Sequence, residues 1–205
     1  MIKPYKLSVS KKTLNEIYKK VKNYPWNLIQ NVNGWEYGTN CNYLKNISKY
    51  WASNYNWKKY EKNLNSFSNY KTKVNGLNIH FIKEKSKNPK SRPLVLLHGW
   101  PGSVIEFFDI IPKLAHPEKF GGKIEDGFDV IVPSLPGFGF STPIKKALGP
   151  RKIGKILNKF MVKNLGYKNY AVQGGDWGAT IAGWMGYDSS KNCKAIHINC
   201  LPLRH

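Results

Sequence analysis

Three glycines crowd one aspartate in Gly174-Gly175-Asp176-Trp177-Gly178. A short apolar run, Tyr170–Gln173, precedes them, and a helix-compatible stretch, Ala179–Tyr187, follows. A glycine on each side of a central polar residue, between a strand and a helix, suits a strained turn that lifts that residue out of the backbone. The simpler alternative for Asp176 is a plain helix N-cap. A cap, however, does not need three glycines in five residues. At the head of a helix the dipole favours the ionised carboxylate.

Two further glycine-rich segments lie upstream, each directly after a buried-strand pattern. His98-Gly99-Trp100-Pro101-Gly102 follows Pro93–Leu97. Its two glycines and proline enforce a tight turn that can aim a backbone N–H into the crevice at the strands' C-terminal ends. Alone it could be an ordinary Gly-Pro turn. Pro133-Ser134-Leu135-Pro136-Gly137-Phe138-Gly139-Phe140-Ser141 follows Phe128–Val132. It reads as a loop that shapes the crevice without doing chemistry.

The rest of the chain supplies the frame for these turns. Helices are expected over 8–24, with Ser8 or Ser10 as cap, over Cys41–Asn54 and near 57–66. In the second, Leu44, Ile47, Tyr50 and Trp51 fall on one face. Residues 26–39 read as loop. Asn75-Gly76 between Lys71–Val74 and Leu77–Lys83 signals a hairpin, and Lys83–Arg92 a charged turn. Helices follow at Glu106–Leu114, Ile153–Leu165 and Ala179–Tyr187, and a last strand at Ala195–Asn199. Alternating strands and helices predict a doubly wound, mostly parallel α/β sheet over 71–205, after a helical segment over 1–70. The ordered motifs make it an α/β-hydrolase fold, truncated after the elbow helix and the next strand.

An aspartate in the nucleophile position selects the chemistry. A carboxylate suits displacement at a saturated carbon, forming an alkyl ester that is then hydrolysed at the carboxylate's own carbonyl. Epoxides and alkyl halides fit this logic. The elbow rule makes the oxyanion donors the backbone N–H groups of Trp177 and of one residue in the first turn, Trp100.

Composition excludes other classes. The net charge is +21. It is almost all lysine, scattered among Asn and Tyr, with arginine only at 92, 151 and 204. Specific nucleic-acid recognition, which favours forked arginine contacts, is not expected. A membrane-surface or polyanion role is the minor alternative. Cys41, Cys193 and Cys200 show no metal or disulfide spacing, so no metal is expected and an intracellular, cytosol-facing setting is. No signal or membrane-spanning run is visible.

With these residues the chain closely resembles the microsomal-type epoxide hydrolases, including the insect juvenile hormone epoxide hydrolases. The resemblance rests on His98–Ser103, Gln173–Gly178, the segment Lys71–Ile82, which looks like the join between that family's N-terminal meander domain and its hydrolase sheet, and Tyr5–Ser10, which looks like the meander's beginning. It implies that Asp176 opens a lipophilic epoxide and that Trp100 and Trp177 form the oxyanion hole. It also implies a vicinal diol product, no cofactor, detoxification or hormone turnover, and an endoplasmic-reticulum location. The family's N-terminal membrane helix has no counterpart here, which otherwise suggests the cytoplasm. The family's water-activating histidine, acidic partner and cap tyrosines lie downstream of His205.

No residue present substitutes for them. His197 reads as a packed strand histidine, His205 as terminal, and His98 as structural. His80 and His116 lie outside all three motifs, and Asp188 is about three helical turns beyond Asp176. The expectation is therefore a partial epoxide hydrolase. The alternative is a catalytically incomplete homologue that binds lipophilic ligands or partners. The oligomeric state is left open.

Overall fold

The computed structural model describes residues 1–29 and 34–200. His205 and the middle of the 26–39 segment lie outside them. The chain divides into two compact units, Leu7–Ser66 and Met1–Lys6 with Phe67–His205. Relative to a division at residue 70, the first six residues and residues 67–70 go with the sheet.

The smaller unit holds α1 (Lys11–Lys22), α2 (Cys41–Ser53) and α3 (Trp57–Leu64). Ser10 caps α1 by accepting the Thr13 N–H, and Asn40 caps α2 by accepting that of Tyr43, each satisfying a free amide of the first turn. Asn65 uses both ends of its amide on the Leu7 backbone, and Glu61 accepts from the Val9 N–H and from Lys58. The apolar interior is thin: Leu7, Cys41 and Leu64 are its buried hydrophobic residues among those described. Leu44, Ile47, Tyr50 and Trp51 share a face of α2, as their spacing predicts, and that face is exposed.

The larger unit is a seven-stranded sheet with flanking helices. Its strands are β1 (Lys3–Pro4), β2 (Asn69–Val74), β3 (Leu77–Glu84), β4 (Arg92–Leu97), β5 (Phe128–Pro133), β6 (Tyr170–Gly174) and β7 (Cys193–Ile198). Their order is β1-β2-β3-β5-β4-β6-β7. The first four in that order pair antiparallel, and β5, β4, β6 and β7 run parallel. Asn75 and Gly76 both take positive φ, 49° and 80°, as a two-residue hairpin turn requires.

Three helices accompany the parallel strands: α4 (Ile111–Ala115), α5 (Pro150–Lys159) and α6 (Trp177–Asp188). Ile153, Leu157, Phe160, Ile181 and Met185 pack with Val95, Leu97 and Val172 into one core. Burial on this scale stabilises by roughly 1.5–3 kcal/mol for each large side chain.

Three expectations change. The helix predicted over Glu106–Leu114 is two pieces, a 3₁₀ turn at Val104–Phe107 and then α4. Pro112 has no N–H to give a preceding turn, so the helix restarts around it. The helix predicted over Ile153–Leu165 is α5 running into a π turn at Phe160–Asn164. His197 is exposed rather than packed. It sits on β7, the edge strand of the sheet among the described residues, where no further layer covers it.

Candidate active site

Strand order reverses at β4. From β4 the chain crosses to β5 on one side, and later to β6 on the other. Crevices at such a switch point, beyond the strands' C-terminal ends, are where open α/β sheets bind ligands. The turns after β4 and β6 flank this one, and they are the first and third glycine-rich segments.

The β6 turn is strained. Asp176 has φ 51° and ψ −121°, a region closed to most side chains. A Cβ on Gly174 would strike the Gly178 backbone, and one on Gly178 would strike the Leu97 carbonyl. Bare backbones are what let the turn close and α6 approach β4. The Asp176 side chain makes no N-cap hydrogen bond to its helix. Simple capping is therefore not its role. Asp176 is exposed, and the Trp100 N–H donates to its Oδ1 at 2.8 Å. Backbone hydrogen bonds from Trp100 and then Trp177 hold the carboxyl below its ordinary pKa. The carboxylate thus favours its ionised form and is oriented by the Trp100 N–H, the main-chain donor bonded to it.

The β4 turn presents the first of those donors. Gly99 lets it come close: a Cβ there would lie 2.6 Å from that of Asp176. The Trp100–Pro101 peptide is cis. Gly102 lies under the Glu106 carboxyl, the mobile end of an exposed side chain. Gly175 likewise accommodates the Asn199 side chain. His98 is fully buried. The Leu135 N–H donates to its Nε2 at 3.0 Å, so Nδ1 carries the proton and donates to the Gly99 carbonyl at 3.0 Å. Burial pushes the imidazole pKa down, and the ring works as a neutral tie between the first and second motifs.

The second motif does more than line the crevice. The Phe138 ring lies edge-on to His98 at 5.4 Å and 6.2 Å from Trp177. His80, placed outside the motifs by sequence, is hydrogen-bonded to Ser134 and Ser141 within the second. The alternation of β3 puts His80 on the face opposite Ile79 and Phe81, with Asn78, so it gave no signal that the ring is buried; in the structure both faces of β3 are covered from Ile79 to Ile82.

Other titratable groups stay apart from the carboxylate. Asp188 closes the far end of α6 in a forked pair with Arg151, at 2.7 and 2.8 Å. The His116 ring faces Glu118 at 4.0 Å. Among the described residues no histidine is hydrogen-bonded to Asp176, and no cluster could hold a metal ion. A groove of about 1090 Å³, between β4, β6, β7 and α4, is lined by residues including Leu94, Leu96, Phe107, Ile110 and Gln173. Asp176, Trp100 and Trp177 do not line it, so it is separate from this site.

The epoxide hydrolase N-terminus family model matches residues 2–107, and the alpha/beta hydrolase fold model matches residues 92–204. The chain belongs to the microsomal-type epoxide hydrolase family. It is 38% identical over 205 residues to epoxide hydrolase 1 of Oryctolagus cuniculus, an alignment that takes in 97% of this chain and 44% of that one. To juvenile hormone epoxide hydrolase 1 of Ctenocephalides felis it is 37% identical, covering 97% and 43%. The crystal structure of juvenile hormone epoxide hydrolase from the silkworm Bombyx mori superposes with a TM-score of 0.86 at 36% identity, covering 98% of this chain and 53% of that one. The chain spans about half the length of the relatives it matches. Among its described residues no helix is long and apolar enough to cross a membrane.

Proposed function

We propose that Asp176 is the nucleophile of an epoxide hydrolase acting on lipophilic epoxides, with Trp100 and Trp177 as its oxyanion hole. The observation that carries this reading is the Trp100 N–H bonded to Asp176 Oδ1. With Oδ1 held, the other carboxylate oxygen is the one that attacks. It displaces the epoxide oxygen from carbon, the C–O bond of the ring breaks, and the alkoxide formed takes up a proton from water. The product is an alkyl ester at Asp176. Water then adds to the ester carbonyl, whose oxygen is already in the hole. The resulting oxyanion collapses, releasing the diol and restoring the carboxylate.

The water-activating base, its acidic partner and the epoxide-holding tyrosines come, on this reading, from the part of the family that this chain does not span. The chain itself supplies the alkylating half, and without the base the ester clears slowly. No cofactor takes part. On this reading the protein works at the endoplasmic reticulum, where lipophilic epoxides partition; its membership of the microsomal-type family supports this.

The test is intact-mass spectrometry after incubation with styrene oxide and with a long-chain terminal epoxide. The expected result is one adduct of epoxide mass, mapped to Asp176, persisting for hours and absent from Asp176→Asn. Reversible binding without an adduct would overturn the reading in favour of a ligand-binding module.

A further inference from the structure

Seventeen residues separate His80 from the nearest glycine-rich motif in sequence, His98–Gly102, yet in space it sits against the second motif, Pro133–Ser141. His80 is fully buried, with Asn69, Ser134 and Ser141 around it, all buried. Its Nε2 pairs with Asn69 Oδ1 at 2.9 Å, which as a pure acceptor fixes the proton on Nε2. Nδ1 then accepts the Ser134 hydroxyl at 2.9 Å. The His80 N–H donates to Ser141 Oγ at 2.9 Å, and that hydroxyl donates to the Ser134 carbonyl at 2.7 Å. The Ser134 N–H closes the set on the His80 carbonyl at 2.9 Å. Tyr5 and Phe140 pack edge-on or tilted around this cluster.

Both ends of the Pro133–Ser141 loop are therefore fastened to one residue of β3. The next residue along, Leu135, is the one whose N–H fixes His98, and His98 in turn holds the Gly99 carbonyl. The Gly99–Trp100 peptide carries that carbonyl at one end and, at the other, the N–H that reaches Asp176. A rotation of this peptide moves both at once.

Resting on the nucleophile reading above, we propose that His80 is a positioning residue for the oxyanion hole, acting through Ser134, Leu135 and His98 to set the Trp100 amide. The Asn69 and Ser134 contacts use its donor and acceptor at once, so neither a charged nor an apolar side chain reproduces them. Glutamine, with one acceptor and a donor group on one amide, does.

The test compares His80→Ala, Ser134→Ala and His80→Gln in the full 205-residue chain, by amide hydrogen exchange at Trp100 and by the rate of adduct formation with styrene oxide. Ser134→Ala removes a single hydroxyl and keeps the proposal testable if His80→Ala does not fold. The expected result is a loss of Trp100 amide protection of about tenfold in the alanine variants, with protection in β4 and β5 retained. Adduct formation at saturating epoxide should fall about tenfold, with the half-saturating concentration unchanged. His80→Gln should restore both. Unchanged Trp100 protection in a folded alanine variant would overturn the proposal. The exchange measurement needs no epoxide. Loss of Trp100 protection in a chain that never forms an adduct would sink the nucleophile reading and leave the positioning role standing.

Discussion

The main-chain N–H of Trp100 donates to Asp176 Oδ1 at 2.8 Å, across 76 positions of sequence. The two residues lie in the turns that follow neighbouring strands, β4 and β6, which run parallel with Leu97 opposite Gly174. Strand pairing thus sets the distance, and the glycines at 99, 174 and 178 let the turns complete it. Because the donor is backbone, the Trp100 ring, 69% exposed, is not what holds the carboxylate. Trp100→Ala should keep the rate of Asp176 alkylation within roughly threefold, measured by adduct mass against time. A loss as large as that of Asp176→Asn would show that the ring itself is required.

Asp176 holds an unfavourable backbone conformation, which glycine adopts without cost. Asp176→Gly should abolish alkylation while raising stability by about 1 kcal/mol. Thermal melts and adduct mass on the same samples check both halves. A destabilised glycine variant would mean the carboxylate contacts outweigh the strain.

Gly178 faces the Leu97 carbonyl with no room for a methyl group. Both atoms in the way are backbone, so neither can swing aside. Gly178→Ala should cost about 3 kcal/mol, by forcing α6 away from β4. Urea denaturation measures it. A neutral substitution would contradict the packing described.

Acid should weaken the sheet unit before its carboxylates protonate. Burial, helped by the charge of Lys71, holds His80 at about 3 against an ordinary 6.5. Below pH 6.5 the unfolded chain takes a proton that the folded one refuses. Stability is therefore full above 6.5 and declines as pH falls toward 3, by up to about 1.4 kcal/mol per pH unit. Asp176 and Asp188, both held below their ordinary values, add their own losses only at the acid end. Urea midpoints at pH 7, 6 and 5 for the native chain and His80→Gln should diverge in the native chain's disfavour. Parallel lines would remove His80 from the account.

Much of this was legible in the sequence because each signal was local. Asn75-Gly76 specified a hairpin, the apolar runs specified buried strands, and three glycines around Asp176 specified a turn that only small neighbours permit. What escaped notice depended on partners remote in sequence. The alternation of β3 set His80 opposite the apolar face of Ile79 and Phe81, and could show neither that this second face is covered nor that Ser134 and Ser141, 54 and 61 residues away, cover it. The same alternation made His197 look packed, because period alone does not say whether a strand has a covering layer. Helical spacing in α2 found a genuine apolar face and equally could not tell that it is exposed. At Glu106–Leu114 the pattern was helical and Pro112 overrode it.

The short strand β1 gives the molecule an order of assembly. Pro4 pairs with Tyr70, and the Tyr5 N–H bonds to the Asn69 carbonyl, so the whole Leu7–Ser66 unit is an excursion out of one antiparallel pair. Closing so long a loop in a flexible chain carries an entropic cost that two residues of pairing do little to offset. Once the helices have condensed, the ends to be joined are effectively nearer. The strand at the very start of the chain is thereby the last piece to dock, and in pulsed hydrogen exchange the Tyr5 amide should gain protection after those of α1 to α3.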